Sequence, residues 1–298
     1  EIEYTEIRTN KKKTYINLEC AFDIETTSTY VGEDKIAFMY LWTMGIGDGE
    51  QVIHGRTWES FIEVCEGLQQ HFNLSDNRIL ICYVHNLAFE FQFMRKYFNW
   101  LEVFSTDERK PIKALTTLGI EFRDSYILSS FSLSRLAKNL LNHKIEKLEG
   151  DLDYDKIRHY ETEITQEELQ YAINDVVIIL NYINEQIEMY GDITKIPLTN
   201  TGRVRQYVRN NCYYTYTNHR KSSKGKYNRY RRLMSDLELT EDVYDMCKRA
   251  FMGGFTHANA NHMGKIIEDV TSIDFSSSYP SVMLSELFPM SRGIATTF

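Results

Sequence analysis

No hydrophobic run in the sequence is long enough to cross a membrane, because a spanning helix needs about 20 consecutive apolar residues. The first residues, Glu1-Ile2-Glu3-Tyr4, lack the basic start and apolar core of a secretory signal peptide. The five cysteines are scattered, and without a Cys-x-x-Cys pair neither a zinc site nor a disulfide framework is predicted. We therefore expect a cytoplasmic protein with reduced thiols and no membrane partner.

Acidic residues are missing from one stretch of an otherwise acidic chain. Residues 1–200 carry 20 basic and 33 acidic side chains, whereas residues 201–235 carry 10 basic and none acidic, with six tyrosines among them. Cations that neutralise phosphates beside rings that stack on bases are typical of a nucleic-acid contact. The alternative is a solvated linker, since residues 222–226 have the composition of a loop. The arginines that we select for the contact are Arg203, Arg205, Arg209, Arg229, Arg231 and Arg232.

A chain of 298 residues with 43% apolar side chains is long enough for about two domains with sizeable cores. Segments rich in β-branched and aromatic residues alternate with segments of helical spacing, which predicts an α/β protein. Strands are predicted at residues 14–27, 36–46, 51–54, 78–84 and 119–126, the first three as an antiparallel meander, and helices at 58–72, 132–141 and 165–191. We place a first domain at residues 1–195, the basic tyrosine-rich segment at 196–240 and a last part at 241–298.

The strand predicted to end near Thr26 carries the motif Asp23-Ile24-Glu25. Because side chains alternate along a strand, Asp23 and Glu25 share one face while Phe22 and Ile24 pack behind them. Two carboxylates this close repel unless a cation lies between them, and magnesium and manganese prefer such oxygen ligands. The motif therefore predicts a divalent-metal site, and its alternative is an exposed acidic edge strand.

The longest predicted helix begins at Thr165, which has capping-box spacing with Glu168, and ends near Gly191. Tyr171 and Asp175 are four residues apart and so lie on one face of this helix. Since Asp175 sits in a largely apolar run, we expect it to have a partner elsewhere in the fold.

Three motifs occur in the order and approximate spacing of the DEDDy-type 3′–5′ exonuclease domain of family B DNA polymerases, which the chain resembles. They are Asp23-Ile24-Glu25, Asn86-Leu87-Ala88-Phe89-Glu90 and Tyr171-Ala172-Ile173-Asn174-Asp175. Residues 150–154 are similar to the protein-primed branch found in phages and linear plasmids. The resemblance implies a ribonuclease H-like exonuclease domain at residues 1–195, with a mixed sheet flanked by helices.

The last part of the chain resembles the start of a polymerase palm. Residues 272–280 are similar to motif A, and residues 251–256 are similar to the Tyr-x-Gly-Gly motif that precedes it. By resemblance Asp274, at a strand end, would hold catalytic magnesium, and Tyr279 would stack under the incoming sugar. Gly253 and Gly254 would let template phosphate approach the backbone, their alternative being a plain turn. Motifs B and C are expected downstream of Phe298, so we expect the N-terminal part of a polymerase that does not extend primers by itself.

Three positions depart from the family pattern. Glu90 stands where the second exonuclease motif has Asp, and Phe251 replaces the Tyr of Tyr-x-Gly-Gly. Glu149 stands where the protein-primed branch has the lysine that steadies the scissile phosphate, and Lys147 is the nearest base.

For the exonuclease site the resemblance implies two divalent ions, Mg²⁺ or Mn²⁺, about 3.5–4 Å apart. The hydroxyl of Tyr171 would orient the attacking water, since a tyrosine pKa near 10 is too high for a general base. A helix cap is the alternative role for Asn86, and a core ring is the alternative for Phe89. The implied metal ligands are Asp23, Glu25, Glu90 and Asp175, and the implied single-strand contacts are Thr26, Asn86, Phe89 and Ser125.

The expected function is 3′–5′ hydrolysis of single-stranded DNA by the N-terminal part of a DNA-directed DNA polymerase. Its partners would be single-stranded DNA, primer-template DNA and a terminal primer protein, in the host cytoplasm if the protein is viral. Two alternatives stay open: a catalytically weak module that binds single strands, and a domain that binds a primer protein through the basic block.

Overall fold

The computed structural model describes residues 2–47, 51–148, 156–213, 215–217, 220–222, 224–253, 257 and 259–291, with the backbone alone for residue 31 and residues 212–227. Sequence predictions that involve residues 48–50, 149–155 and 254–256 lie outside these ranges. The chain forms two compact units, residues 1–206 and residues 207–298.

A nine-stranded mixed sheet is the centre of the first unit. Its strands are β1 (Thr5–Arg8), β2 (Thr14–Asn17), β3 (Cys20–Val31), β4 (Asp34–Ile46), β5 (Gln51–Gly55), β6 (Arg78–Val84), β7 (Trp100–Asp107), β8 (Lys110–Thr116) and β9 (Ile120–Asp124). The main path runs β5-β4-β3-β6-β9-β8-β7, and β2 pairs with both β1 and β6. The predicted meander is confirmed, since β3, β4 and β5 are antiparallel neighbours. Because β3, β6 and β9 run parallel, the segments that follow them leave from the same edge of the sheet.

Helices cover both faces of this sheet. They are α1 (Trp58–Phe72), α2 (Leu87–Met94), α3 (Ser125–Ser129), α4 (Leu133–Lys138), α5 (Gln166–Tyr190) and α6 (Asn200–Val208), with a 3₁₀ turn at Ile193–Lys195. One core lies between the sheet and α1 and α2, where the rings of Phe22 and Phe61 stack 4.2 Å apart. The other core lies between the sheet and α4 and α5, and it includes Ile81 and Ile179. Burial of each large apolar side chain contributes about 1.5–3 kcal/mol, so these two cores are the main support of the sheet edge.

The long helix α5 begins and ends as the sequence predicts. Thr165 and Glu168 form the capping box, and Gly191 ends the helix in the left-handed conformation with φ 88°. The helix approaches β4 closely at Gly45, where an added Cβ would lie 2.5 Å from Leu180 and 2.9 Å from Val176. A larger residue at position 45 would therefore push α5 and its polar face away from the sheet.

The second unit contains β10 (Thr215–Thr217), β11 (Arg220–Ser222), α7 (Lys224–Asp236), α8 (Glu241–Ala250) and α9 (Ser278–Ser285), with a π-helical turn at Arg209–Tyr213 and a 3₁₀ turn at Ala260–His262. The loop predicted at residues 222–226 is wrong from Lys224 onward, because α7 begins there. The strand predicted at Asp274 is also wrong: residues 270–275 have no regular structure and no strand of the described residues pairs with them, so no ladder of hydrogen bonds forms. Among the described residues, no helix combines the length and hydropathy needed to span a bilayer.

Candidate active site

Asp23 and Glu25 lie on the face of β3 that meets α5. Ala21, two residues before Asp23, belongs to the core shared with α5, whereas Phe22 and Ile24 belong to the opposite core. The pairing of β3 with β4 shifts register between Glu25 and the residue after it. Such an irregularity bends a strand and changes the direction of the following side chains, and it is frequent beside active sites. The predicted shared face of the two carboxylates is therefore present.

Asp175 from α5 completes a cluster with these two carboxylates. One oxygen from each of Asp23, Glu25 and Asp175 can be chosen so that all three lie within 4.8 Å of one another. Asp175 is only 8% exposed, so the cluster is screened from bulk water on the helix side. Three carboxylate oxygens converging at this distance suit a hard divalent cation, so the donor set fits magnesium or manganese.

The raised pKa values of the clustered carboxylates also indicate a site for a cation. Burial, and then the charges of Glu25 and Asp175, raise the pKa of Asp23 well above its ordinary value. Burial, and then the charge of Asp175, raise the pKa of Glu25 to about 7. Each carboxylate thus opposes ionisation of the others, and a bound cation would relieve that repulsion.

Lys147 enters the cluster from the segment before the third motif. Its Nζ donates to Asp175 Oδ1 at 2.5 Å and to the Tyr171 hydroxyl at 3.1 Å. The ammonium also lies 4.3 Å from the centre of the Tyr171 ring. Burial works to lower the pKa of Lys147, but the hydrogen bond and charge of Asp175 raise it overall, so the ammonium stays protonated at neutral pH.

Asn174 fixes the segment that carries Lys147. Its Oδ1 accepts from the backbone N–H of Leu148 at 2.9 Å, and its Nδ2 donates to the carbonyl of Glu146 at 3.1 Å. The two bonds hold the residues on either side of Lys147, so the side chain between them is directed at Asp175. Sequence reasoning noted Lys147 as the nearest base but did not include it in the site. A polar Asn174 directly before Asp175, in an apolar helix, was the signal available for this anchor.

Glu90 lies in α2, close to but outside the three-carboxylate cluster. The side chain is 4% exposed, and Oε2 is buried without a hydrogen-bond partner among the described residues. Burial, and then the charge of Asp23, raise the pKa of Glu90 well above its ordinary value. A buried, unsatisfied carboxylate oxygen beside Asp23 suits a ligand that reaches a cation directly or through water.

Asn86 and Phe89 flank Glu90 and present exposed groups. Asn86 is the N-cap residue of α2 and has a left-handed backbone with φ 81°, but its side chain makes no capping bond, so the helix-cap alternative holds for its position and not for its amide. Phe89 is 42% exposed, so the core-ring alternative is also wrong. Thr26 lies directly after the β3 irregularity, opposite Met39. Exposed polar and aromatic side chains therefore border the carboxylates, although their contact with DNA stays a prediction.

Ser125 differs from these three residues. It is fully buried, its hydroxyl donates to the carbonyl of Val84 at 3.2 Å, and it lies 3.0 Å from Nδ1 of His85. In this conformation the Ser125 hydroxyl cannot contact a DNA strand, because both of its interactions lie inside the protein. Burial lowers the pKa of His85 to about 4, so the imidazole is neutral at physiological pH.

The predicted palm and basic-block residues are placed differently from the carboxylate cluster. Asp274 is exposed and Tyr279, in α9, is 80% exposed. Among the described residues, nothing lies within 4 Å of the position that a Cβ would take at Gly253, so this space is open and the contact with template phosphate stays a prediction. Among the described side chains of the basic block, the exposed arginines are Arg205, Arg209, Arg229, Arg231 and Arg232.

Arg203 stands apart from the other arginines because its guanidinium has internal partners. Its Nη2 donates to the Tyr182 hydroxyl and to Gln186 Oε1, both at 2.7 Å. These bonds fasten α6 to α5. The DNA contact proposed for Arg203 from sequence remains a prediction, and a structural role now stands beside it.

Comparison with known families and proteins adds a finding that is independent of this geometry. The family described as DNA polymerase type B, organellar and viral, matches residues 138–297. The DNA polymerase of Bacillus phage M2 is 24% identical over 294 residues, which is 90% of this chain and 44% of that protein. The DNA polymerase of Bacillus phage B103 is 27% identical over 166 residues, 56% of this chain and 25% of that protein. The chain thus spans less than half the length of each relative.

Solved structures of Phi29 DNA polymerase have a similar fold. An orthorhombic crystal form matches with a TM-score of 0.57 at 18% identity, over 93% of this chain and 46% of the polymerase. A complex of the same polymerase with single-stranded DNA matches with a TM-score of 0.55 at 18% identity, over 82% and 41%. The mixed sheet flanked by helices is therefore the fold of the N-terminal region of that polymerase. Since the family match covers more than half of its residues, the chain belongs to the type B DNA polymerases of organelles and viruses.

Proposed function

We propose that the first compact unit is a 3′–5′ exonuclease that removes nucleotides from single-stranded DNA ends, within a DNA polymerase of the phage type. The observation that carries this proposal is the convergence of Asp23, Glu25 and Asp175 from two elements that are about 150 residues apart in sequence. Family membership supports the polymerase context, and the complex of Phi29 DNA polymerase with single-stranded DNA supports the substrate class.

The acidic cluster is the place where two divalent ions would be held, by Asp23, Glu25 and Asp175, with Glu90 direct or through water. When bound, such ions supply a more acidic water, a neutralised scissile phosphate and a stabilised leaving 3′-oxygen. The raised pKa values of the carboxylates in the metal-free protein support this assignment, because the site is arranged for positive charge that the chain provides only in part.

Tyr171 and Lys147 contribute the protein's own chemistry. The Tyr171 hydroxyl lies one helical turn from Asp175 and can hold the attacking water by hydrogen bonding. Lys147 places a protonated ammonium between Tyr171 and Asp175, where it can stabilise negative charge on the scissile phosphate. We assign to Lys147 the electrostatic role that the family pattern places two residues later, at Glu149.

The bases of the substrate strand would be recognised by side chains at the start of α2. Phe89 offers an exposed ring on which the terminal base can stack, and Asn86 offers an uncapped amide for hydrogen bonds. Stacking on one ring is worth about 1–3 kcal/mol per base and accepts any base, which suits an enzyme that must remove every nucleotide.

The wider polymerase roles belong to the same proposal. Asp274 and Tyr279 would serve nucleotide addition in the whole protein, with primer-template DNA and a terminal primer protein as partners in the host cytoplasm. The exposed arginines of the basic block, Arg205, Arg209 and those of α7, would contribute cations to the DNA.

The direct test is the release of mononucleotides from a single-stranded oligonucleotide labelled at its 5′ end, with Mg²⁺ or Mn²⁺ and with EDTA. A ladder that shortens from the 3′ end only with metal is the expected result. Tyr171→Phe and Lys147→Met should each slow the reaction at least tenfold while the strand still binds. Strand binding without metal-dependent shortening would instead support the single-strand-binding module.

A further inference from the structure

A groove of about 720 Å³ lies beside the candidate active site, and we infer that it binds the nucleotides that lead into that site. It runs between the first half of β4, the start of α1, the end of α2 and Tyr160. The inference rests on the proposed exonuclease function and adds to it a second contact region for the substrate strand.

The groove is continuous with the residues that border the carboxylates. Met39, which lines it, pairs with Thr26 at the register shift next to Glu25. Phe93, which also lines it, lies one helical turn beyond Phe89, and the two rings are 5.0 Å apart. A strand whose last base stacks on Phe89 would therefore continue along α2 into the groove.

The lining has the chemistry of a single-strand contact. Arg95 and Lys96 are exposed at the end of α2, and Tyr160 is 58% exposed. Phe38, which also lines the groove, has its ring stacked on His159 with the centroids 5.1 Å apart. Cations that reach the sugar-phosphate backbone beside rings that stack on bases characterise sequence-independent binding of single strands.

Charge makes the groove an exception within the first unit. Residues 1–200 carry 13 more acidic than basic side chains. Among the described residues that line the groove, Glu59 is the one acidic residue, whereas Arg56, Arg95 and Lys96 are basic. A polyanionic strand repelled by most of this unit would thus find locally positive charge here.

Arg56 has a structural role in the wall of the groove and is not one of the cations that we assign to phosphate contacts. Its guanidinium donates to the carbonyls of Tyr40 at 2.6 Å, Thr162 at 2.8 Å and His159 at 2.7 Å. These bonds hold the segment that bears Tyr160 against β4. The phosphate contacts are therefore assigned to Arg95 and Lys96.

The dimensions favour a polynucleotide over a single nucleotide. Met94, the last residue of α2, is five residues after Phe89, so at about 1.5 Å per residue the two are roughly 7 Å apart along the helix axis, and Lys96 lies two residues further on. One terminal nucleotide on Phe89 does not extend over this distance together with its phosphate on the carboxylates. The groove should therefore distinguish long from very short substrates.

The test compares Arg95→Gln/Lys96→Gln with a matched control, Lys11→Gln/Lys12→Asn. Lys11 and Lys12 are exposed in the β1–β2 turn, near the end of the sheet opposite the carboxylates, and asparagine suits the positive φ of 63° at position 12. Each variant is assayed with a dinucleotide and with a strand of about ten nucleotides. Tyr160→Ser is assayed in the same way, and thermal melting verifies that every variant is folded.

We expect the Arg95/Lys96 variant to raise KM for the longer strand about fivefold to tenfold, with kcat and dinucleotide hydrolysis unchanged. The slope of log(kcat/KM) against log salt should flatten by about 0.7 for each lost phosphate contact. Tyr160→Ser should raise the same KM, and the Lys11/Lys12 control should match the wild type. Equal effects on both substrates, no effect, or the same effect in the control would overturn the groove assignment.

A binding experiment separates this inference from the proposed function. Fluorescence anisotropy in EDTA measures the affinity of the ten-nucleotide strand without any hydrolysis. If the wild type hydrolyses nothing but the Arg95/Lys96 variant still binds the strand several-fold more weakly than the control, the exonuclease proposal fails and the groove stands. If hydrolysis occurs and all variants bind alike, the groove fails and the exonuclease stands.

Discussion

The two compact units contain acids in similar sequence settings but in opposite structural settings. Asp23 lies between Phe22 and Ile24, which are 0% and 6% exposed, whereas Asp274 lies between Ile273 and Phe275, which are 89% and 82% exposed. In the first unit, helices on both faces of the sheet bury the flanking residues and bring Asp175 to Asp23 and Glu25. In the described part of the second unit no side chain is fully buried.

The difference between the two units shows which surroundings a carboxylate motif needs in order to form a candidate metal site. Repulsion and removal from water raise the pKa values of Asp23, Glu25 and Glu90, and both effects require neighbours that the fold supplies. Asp274 has the sequence pattern without that surrounding. The likeness to motif A is therefore found in the sequence alone, whereas the cluster of Asp23, Glu25 and Asp175 is also found in the geometry.

The largest expected effect comes from removing that geometry. Asp23→Ala/Glu25→Ala should reduce mononucleotide release by a factor of a thousand or more, about the scale on which loss of electrostatic stabilisation acts in active sites. The melting temperature of the metal-free variant should not fall, because the change removes buried like charges. Asp274→Ala is the matched control and should leave hydrolysis unchanged. Turnover that survives in the double variant would remove the metal-site assignment.

The next comparison concerns stability at the starts of two helices. Glu168 accepts from Arg158 Nε at 2.7 Å and from the Thr165 N–H at 2.9 Å, and both charged side chains are buried. Glu168→Ala leaves a buried arginine without this partner, so it should lower the free energy of unfolding by about 3 kcal/mol or more. Glu241, in the exposed first turn of α8, should change it by less than about 0.5 kcal/mol when replaced by Ala.

Urea unfolding provides the measurement. All three tryptophans, Trp42, Trp58 and Trp100, lie in the first unit, so their fluorescence follows that unit, while far-UV circular dichroism follows both. Equal losses in the Glu168 and Glu241 variants would mean that the buried pair has no more weight than an exposed helix start.

A smaller effect is expected in the pH dependence of folding stability, and bound metal should remove that dependence. The folded pKa of Glu25 is about 7 against an ordinary value of 4.5, so the folded protein holds more protons than the unfolded chain between these values. Stability of the metal-free protein should therefore fall as pH rises from about 5 to 8. A loss of about 1 kcal/mol corresponds to roughly 2–4 °C in melting temperature for a unit of this size.

Mn²⁺ or Mg²⁺ should raise the melting temperature more at pH 8 than at pH 5, because ions bind the ionised carboxylates. Glu25→Gln should flatten the pH profile, and Asp274→Asn should leave it as in the wild type. A profile that rises between pH 5 and 8 in EDTA would contradict the raised pKa.

Much of the first unit could be predicted from sequence because its signals are local. Alternation places Asp23 and Glu25 on one face, and the capping box with Gly191 sets the ends of α5. Lys147 was not predicted as a site residue because its position depends on two hydrogen bonds from Asn174, which only the packed helix brings within reach.

The strand end at Asp274 was expected from the resemblance to motif A and is wrong for a related reason. A strand exists only when neighbouring backbone pairs with it, and pairing is a tertiary property that apolar flanks do not supply. The alternation that succeeded at Asp23 did so because β4 and β6 lie alongside β3. In the first unit the strand pattern around Asp23 is accompanied by neighbouring strands that pair with it. In the second unit the similar pattern around Asp274 has no such pairing among the described residues.

The smallest expected effect concerns the exposed arginines of the basic block. Arg229 and Arg232 are three residues apart in α7 and share one face, whereas Arg231 lies on the far side of Arg229. One strand can then meet at most two of them, and each phosphate contact adds about 0.7 to the single-strand salt slope. Replacing all three by glutamine should flatten the slope of log affinity against log salt by roughly 0.7–1.4 and leave hydrolysis of the bound strand unchanged.

Arg203→Gln is the internal comparison. Because Arg203 bonds Tyr182 and Gln186, this variant should lower the stability of the protein rather than alter the salt slope. If the triple variant kept the wild-type slope, α7 would be a solvated helix, and if Arg203→Gln alone flattened the slope, the phosphate contact would lie at α6.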